Sequence, residues 1–188
     1  MVIINTYMRN YLKSLKVNTG FTLIELLVVI GILGVLAAAL IATIDPFEQL
    51  KKAQDANVKN TTVELVNASI RYYATHSVLP WSDVAAGTTC DSGSLPVGAS
   101  LTGSQMNACL TALINDGELK TQFTTVNYLG SIYVTGQTTS VIACFLPVSK
   151  SQLKDANTKY TISGASVTNP TSNCAGYGGA TTCYWCAL

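Results

Sequence analysis

Between Leu26 and Ile44 the chain runs nineteen positions without a charged residue, and this run limits what the first third of the molecule can become. At about 1.5 Å rise per residue, a helix of that length approaches the roughly 30 Å hydrocarbon core of a bilayer. A single charge, Glu25, is set at its start. A lone carboxylate in lipid costs about 2.5–3.5 kcal/mol on insertion scales unless it finds a partner, so Glu25 asks for a role. Ahead of it lie the basic residues Arg9, Lys13 and Lys16 and the junction Gly20-Phe21.

Three readings compete for this segment. A secretory signal peptide also has a basic front, an apolar core and a small-residue cleavage site, for which Ala37-Ala38-Ala39 would serve. Here, however, the pre-apolar region is twenty residues long, the apolar run continues past the alanines, and a helical pattern follows. A plain membrane anchor requires neither Glu25 nor Gly20-Phe21. The third reading accounts for both. Residues GFTLIELLVVIGILG, Gly20 to Gly34, resemble the type IV pilin and pseudopilin family, whose precursors carry a short basic leader ending in Gly, then Phe-Thr-Leu-Ile-Glu and an apolar helix. The resemblance implies cleavage between Gly20 and Phe21 by a membrane-embedded prepilin peptidase and N-methylation of the new Phe21 amine. It also implies an assembly role for Glu25, which meets the N-terminal amine of a neighbouring subunit. Pairing an ammonium with a carboxylate in apolar surroundings neutralises both and sets a register.

This gives an expected organisation of residues 1–20 as a leader that is removed, 21–45 as a membrane and assembly helix, and 46–188 as one globular domain. About 140 residues are enough for a modest core. Charged residues make up only 11% of the chain, which predicts a neutral, hydroxyl-rich surface. Three of the eleven basic residues lie in the leader, so eight face ten acids in the remainder. No basic patch is evident, and nucleic acid is not an expected direct partner.

Asp45-Pro46 interrupts the helical pattern and predicts a kink or melted turn, with Asp45 placed to cap a restarted helix and Pro46 at its first position. Phe47, Leu50, Gln54, Val58, Thr61, Leu65, Ala68 and Tyr72 then recur on one face, flanked by Lys51, Lys52, Asp55, Lys59 and Glu64. Such a stripe predicts the side on which a sheet packs. From Phe21 to about His76 the helical pattern would extend roughly 80 Å if continuous. Pro80 closes the helical region. The sole histidine, His76, is expected as a surface or helix C-terminal residue and not a ligand. Residues 85–103 read as loop, and Ser104 to Ile114 as a short helix.

From Asn127 the period becomes two. Tyr128 to Val134 and Thr139 to Leu146 predict a hairpin, Tyr160 to Ile162 a third strand, and Thr182 to Ala187 a terminal one. A long helix followed by an antiparallel sheet gives an α+β class with one sheet face on the helix, consistent with the pilin fold.

All six cysteines, Cys90, Cys109, Cys144, Cys174, Cys183 and Cys186, follow the apolar run, and an exported domain with an even set predicts disulfides. Cys90 and Cys109 flank one loop. Cys183 and Cys186 fall on opposite sides of an extended strand and so do not suit each other. The expected pairs are Cys174 with Cys183, closing the glycine-rich loop Ala175 to Thr182, and Cys144 with Cys186 between adjacent strands. The Cys183-Tyr184-Trp185-Cys186 spacing also occurs in redox motifs, but those open a helix, whereas this one ends two residues before Leu188. A zinc site from Cys144, Cys174, Cys183 and Cys186 is chemically possible but lacks a second closely spaced pair. The sequons at Asn60 and Asn67 are of a kind frequent by chance and predict no glycosylation.

No catalytic constellation, phosphate loop or histidine pair is visible, so a non-enzyme without cofactors is expected. Many major pseudopilins of type II secretion carry a calcium site. Here Asp155 is the only acid after Glu118, which leaves a C-terminal calcium cage short of carboxylates and favours a pilus subunit. The expected partners are further copies in a helical filament, other pilins, prepilin peptidase, the cytoplasmic (inner) membrane, and pilus or secretion assembly machinery. The expected location is single-pass in that membrane before assembly and a surface filament afterwards. The alternatives are a pseudopilin of secretion or DNA uptake and a membrane-anchored adhesin that never polymerises.

Overall fold

The computed structural model describes residues 20–43, 45–83, 90 and 95–188, the side chain at 105 excepted. The expected leader before Gly20, the junction residue Ile44 and residues 85–89 and 91–94 of the expected 85–103 loop lie outside the described residues. The chain divides after Asp45 into two compact units.

The first unit contributes α1, Leu23–Thr43, whose residues are all exposed. The second opens with α2, Pro46–His76. Proline at the first helical position gives up only an N–H that has no partner inside the helix, and its fixed φ suits the turn. The helix stops at His76, short of Pro80, because Ser77 turns left-handed (φ 58°) and its N–H donates to the Tyr73 carbonyl at 2.7 Å.

Burial along α2 corrects the expected stripe at its N-terminal end. Val58, Thr61, Leu65, Ala68 and Tyr72 are buried, but Phe47, Leu50 and Gln54 are exposed. Asp55, expected on a polar flank, is buried as well. Its carboxylate accepts hydrogen bonds from the Val148 N–H at 3.0 Å, the Ser149 N–H at 2.8 Å and the Ser149 hydroxyl at 2.5 Å. A buried carboxylate surrounded by donors is held without a counter-cation.

β1, Ala99–Ser100, is a two-residue edge strand within a stretch expected to be loop. α3, Ser104–Asn115, follows the expected period and buries Met106, Cys109, Leu110 and Leu113. β2, Ile132–Gly136, starts four residues later than expected. The chain before it makes a 3-10 turn, in which the N–H and hydroxyl of Ser131 both donate to the Tyr128 carbonyl. β3, Val141–Phe145, returns antiparallel, with Gly136 opposite Val141. α4, Lys150–Leu153, is a single turn capped by the Ser149 hydroxyl. β4, Thr158–Tyr160, ends before Ile162, and the chain turns at Gly164 (φ +81°) over the sheet, where an added Cβ would meet Ile142 at 2.6 Å. α5, Pro170–Asn173, precedes β5, Tyr184–Ala187.

The five strands form one antiparallel sheet in the order β1-β2-β3-β5-β4. Alternation sends Ile132, Val134, Ala143, Phe145 and Trp185 to the face that joins α2 in the core. Trp81, in the short turn after α2, lies directly over Gly136. A Cβ there would sit 2.4 Å from the indole, whose N–H donates to the Gln137 carbonyl at 3.0 Å. All six cysteines are used in three disulfides, the pairs expected from the sequence: Cys90–Cys109, Cys144–Cys186 and Cys174–Cys183. Cys144 and Cys186 are cross-strand partners in the β3–β5 ladder. The observed architecture is α+β.

Candidate assembly site

The α1 unit is exceptional in its exposure. Phe21 is 84% exposed, and Leu23, Ile24, Leu26, Leu27, Ile30, Leu33 and Leu36 are all open as well. An apolar surface of this size on a single chain marks a place where lipid or protein belongs. Leu23–Thr43 is the one helix among the described residues long and apolar enough to cross a membrane. Near its C-terminal end, the Thr43 hydroxyl returns a hydrogen bond to the Leu40 carbonyl at 2.8 Å.

Glu25 does something at the helix start that the sequence reading overlooked. Thr22 precedes the first helical residue and Glu25 is the third, which is capping-box spacing. The Glu25 carboxylate accepts from both the Thr22 N–H and the Thr22 hydroxyl at 2.8 Å, while the Glu25 N–H donates back to that hydroxyl at 3.3 Å. The signal was present in the sequence as Thr-x-x-Glu ahead of an apolar run. The carboxylate is thus held in place by its own chain. These bonds solvate the charge in part but leave it net negative, so an approaching cation still gains.

The site residues are adjacent in the chain. Gly20 and Phe21 immediately precede the capping box, and both are exposed. After cleavage, the new amine would stand one residue before Thr22. The cysteines all belong to the second unit. Their pairing consumes the thiols that a zinc site or a redox Cys-x-x-Cys would need, and no group of three His, Cys, Asp or Glu among the described residues is placed to hold a metal ion.

The polar groups near the end of α2 are engaged structurally. The His76 ring stacks on Tyr72 at 4.0 Å, and its Nε2 lies 3.6 Å from Asp116. The Tyr72 hydroxyl donates to Asp83 at 2.9 Å. Burial, then that bond and the negative charge of Asp83, push the Tyr72 hydroxyl up to about 12. Arg71 pairs with Glu118, using its Nε on the carboxylate and a second nitrogen on the carbonyl at 2.7 Å.

A family model described as the prokaryotic N-terminal methylation motif matches residues 15–41, the signature of type IV pilin precursors. No curated protein and no solved structure matches the chain.

Proposed function

We propose that this chain, a pilin-like or pseudopilin precursor by its methylation motif, is a structural subunit of a type IV pilus. Prepilin peptidase removes residues 1–20, Phe21 is N-methylated, and α1 holds the protein single-pass in the cytoplasmic membrane. Subunits then leave lipid by packing their α1 helices at the centre of a surface filament, with the 46–188 domain outside. The observation that carries this reading is the wholly exposed apolar α1 bearing the motif at its start. Helix-on-helix packing buries the same surface that lipid covers beforehand.

The scarcity of carboxylates after Glu118 supports a pilus over a secretion pseudopilus. Purified sheared filaments analysed by mass spectrometry test the proposal. The chain should appear there with a methylated N-terminal Phe21, and its recovery only as a membrane monomer would refute the filament role. Gly20→Ala should leave a precursor about twenty residues heavier. Glu25→Gln separates the two duties of the carboxylate, because glutamine at this position still closes a capping box but carries no charge. Loss of filaments in Glu25→Gln supports pairing with a neighbour's amine. Undiminished filament yield would reduce Glu25 to a helix cap.

A further inference from the structure

The face of the sheet turned away from α2 is crossed by a hairpin, residues 160–167. Thr158 lies opposite Trp185 and Tyr160 opposite Tyr184, which leaves Lys159 over as a bulge. A bulge bends its strand, and here the chain leaves the sheet edge for that outer face. It comes back with Tyr160 bridged to Ser166 and the Val167 N–H donating to the Lys159 carbonyl at 2.7 Å. Three contacts trace its path. It starts beside Tyr184 of β5, Gly164 sits on Ile142 of β3, and Ile162 reaches Gly98, where an added Cβ would meet it at 3.5 Å. The Gly98 N–H in turn donates to the Thr135 hydroxyl of β2 at 2.9 Å. Tyr184 is two residues before Cys186 and Ile142 two before Cys144, and these strands run antiparallel with the cysteines opposite each other. The Cys144–Cys186 disulfide therefore falls between the two points, under the hairpin. Alternation aims both cysteines away from the core, yet Cys144 is 1% and Cys186 6% exposed. Tyr133, opposite Cys144, packs edge-on against Tyr184 at 5.9 Å and walls the same site.

The hairpin is tied to itself more than to what lies beneath it. The Thr161 N–H donates to the Ala165 carbonyl at 2.8 Å, the Gly164 N–H to the Thr161 carbonyl at 2.9 Å, and the Ala165 N–H to the Thr161 hydroxyl at 3.1 Å. Among the described residues, none of these bonds reaches β1, β2 or β3, and the tip rests on the sheet through Ile162 and Gly164. A segment with local bonds and few tertiary contacts opens at lower free energy than the core around it. We infer that residues 160–167 form a strap that gates the access of small thiols to the Cys144–Cys186 disulfide. In the exchange, an incoming thiolate bonds to one sulfur while the Cys144–Cys186 bond breaks and the other sulfur leaves as a thiolate. A second thiolate then displaces the bound cysteine, so that both cysteines end reduced and the reagent ends as its own disulfide. With the strap seated, the burial of both sulfurs denies that approach. With its tip lifted, attack proceeds while the sheet stays paired. The root of the strap, β4, has β5 as its neighbour in the sheet, so it is seated only once Cys186 stands opposite Cys144. The bond is thus made under an open strap and kept under a closed one. This inference concerns the 46–188 domain alone and is independent of the filament reading.

The test follows each disulfide separately. The full-length chain in detergent is incubated with dithiothreitol without denaturant, quenched by alkylation at intervals, and mapped by mass spectrometry. Gly164→Val sets a β-branched side chain at φ +81° against Ile142, and Ile162→Asp puts a charge on the tip. Each should speed reduction of Cys144–Cys186 by about tenfold or more, with Cys90–Cys109 and Cys174–Cys183 reduced at their native rates. Ile162→Val keeps an apolar tip and should keep the native rate at all three. Unchanged reduction of Cys144–Cys186 in folded Ile162→Asp would overturn the strap, whether or not Gly164→Val folds. Equal acceleration of all three disulfides would also overturn it, because that reports a loosened domain and not a lifted hairpin.

Discussion

α1 and α2 are separated in sequence by only Ile44 and Asp45, yet they show two ways for a helix to be stable. α1 is apolar around its whole circumference and buries none of it. α2 is polar on average and owes its place to one face, where Val58, Leu65 and Tyr72 meet the sheet. In the first, the surroundings must be supplied from outside the chain, by lipid or protein. In the second they are supplied by the same chain. The difference shows that helix content by itself says nothing about what holds a helix in place.

The sharpest test of that contrast is in the core. Leu65→Ala, at a side chain 1% exposed, should destabilise the domain by about 2–5 kcal/mol in chemical denaturation. Leu50→Ala on the same helix, exposed, should shift it by no more than about 0.5 kcal/mol. Similar losses from both would deny that one face carries α2. On α1 the expectation is reversed. Leu33→Lys, near the helix centre, should cost about 2.5–3.5 kcal/mol of membrane insertion and move protein into the soluble fraction on alkaline extraction, while the domain unfolds at its usual denaturant concentration. Coupled loss of domain stability would break the separation.

Asp55→Ala removes the acceptor for the buried Ser149 N–H and for the Val148 N–H. Stranding a buried donor should cost about 1–3 kcal/mol, with faster amide exchange at Ser149 as the local readout. The smallest effect is seen only in alkali. The fold keeps the Tyr72 proton up to about 12, whereas the unfolded chain loses it near 10. The contribution is therefore complete below pH 10 and is lost as pH rises toward 12. Ultraviolet titration should show a late tyrosinate step that Tyr72→Phe abolishes.

The elements that local pattern could fix were legible in sequence. α3 follows its 3.6-residue period, and the β2–β3 hairpin follows its alternation. Alternation along the expected terminal strand set Cys183 and Cys186 on opposite faces, and the β3–β5 register puts Cys144 opposite Cys186. What escaped depended on distant partners. β1 is two residues long, and Ala99 and Ser100 become strand only because Val134 and Tyr133 lie opposite. Tyr128 looks extended by composition, but the Ser131 bonds to its carbonyl curl the chain first. Asp55 was misread from its charge. Its position was nonetheless in register with Val58, Thr62, Leu65, Ser69 and Tyr72, and its burial rests on the Ser149 donors, 94 residues away. At the N-terminus, Thr22-x-x-Glu25 was visible as a cap, and the specific motif around it drew attention to the charge instead.

The place of β5 has a consequence for how the domain is completed in time. The last strand in sequence is second from the edge in space, between β3 and β4, and it ends at Ala187, one residue before the C-terminus. β4 therefore has no partner strand, and Cys144 no cross-strand thiol, until β5 has been made. Cys90 and Cys109 both precede Cys144 in sequence, so their pairing does not wait for β5. A chain shortened by five residues would lose β5 and Cys186 together and leave β3 with an open edge and a reactive thiol. The sheet thus stays open in its middle until residues 184–187 join it, and its latest strand in sequence fastens both its neighbours at once.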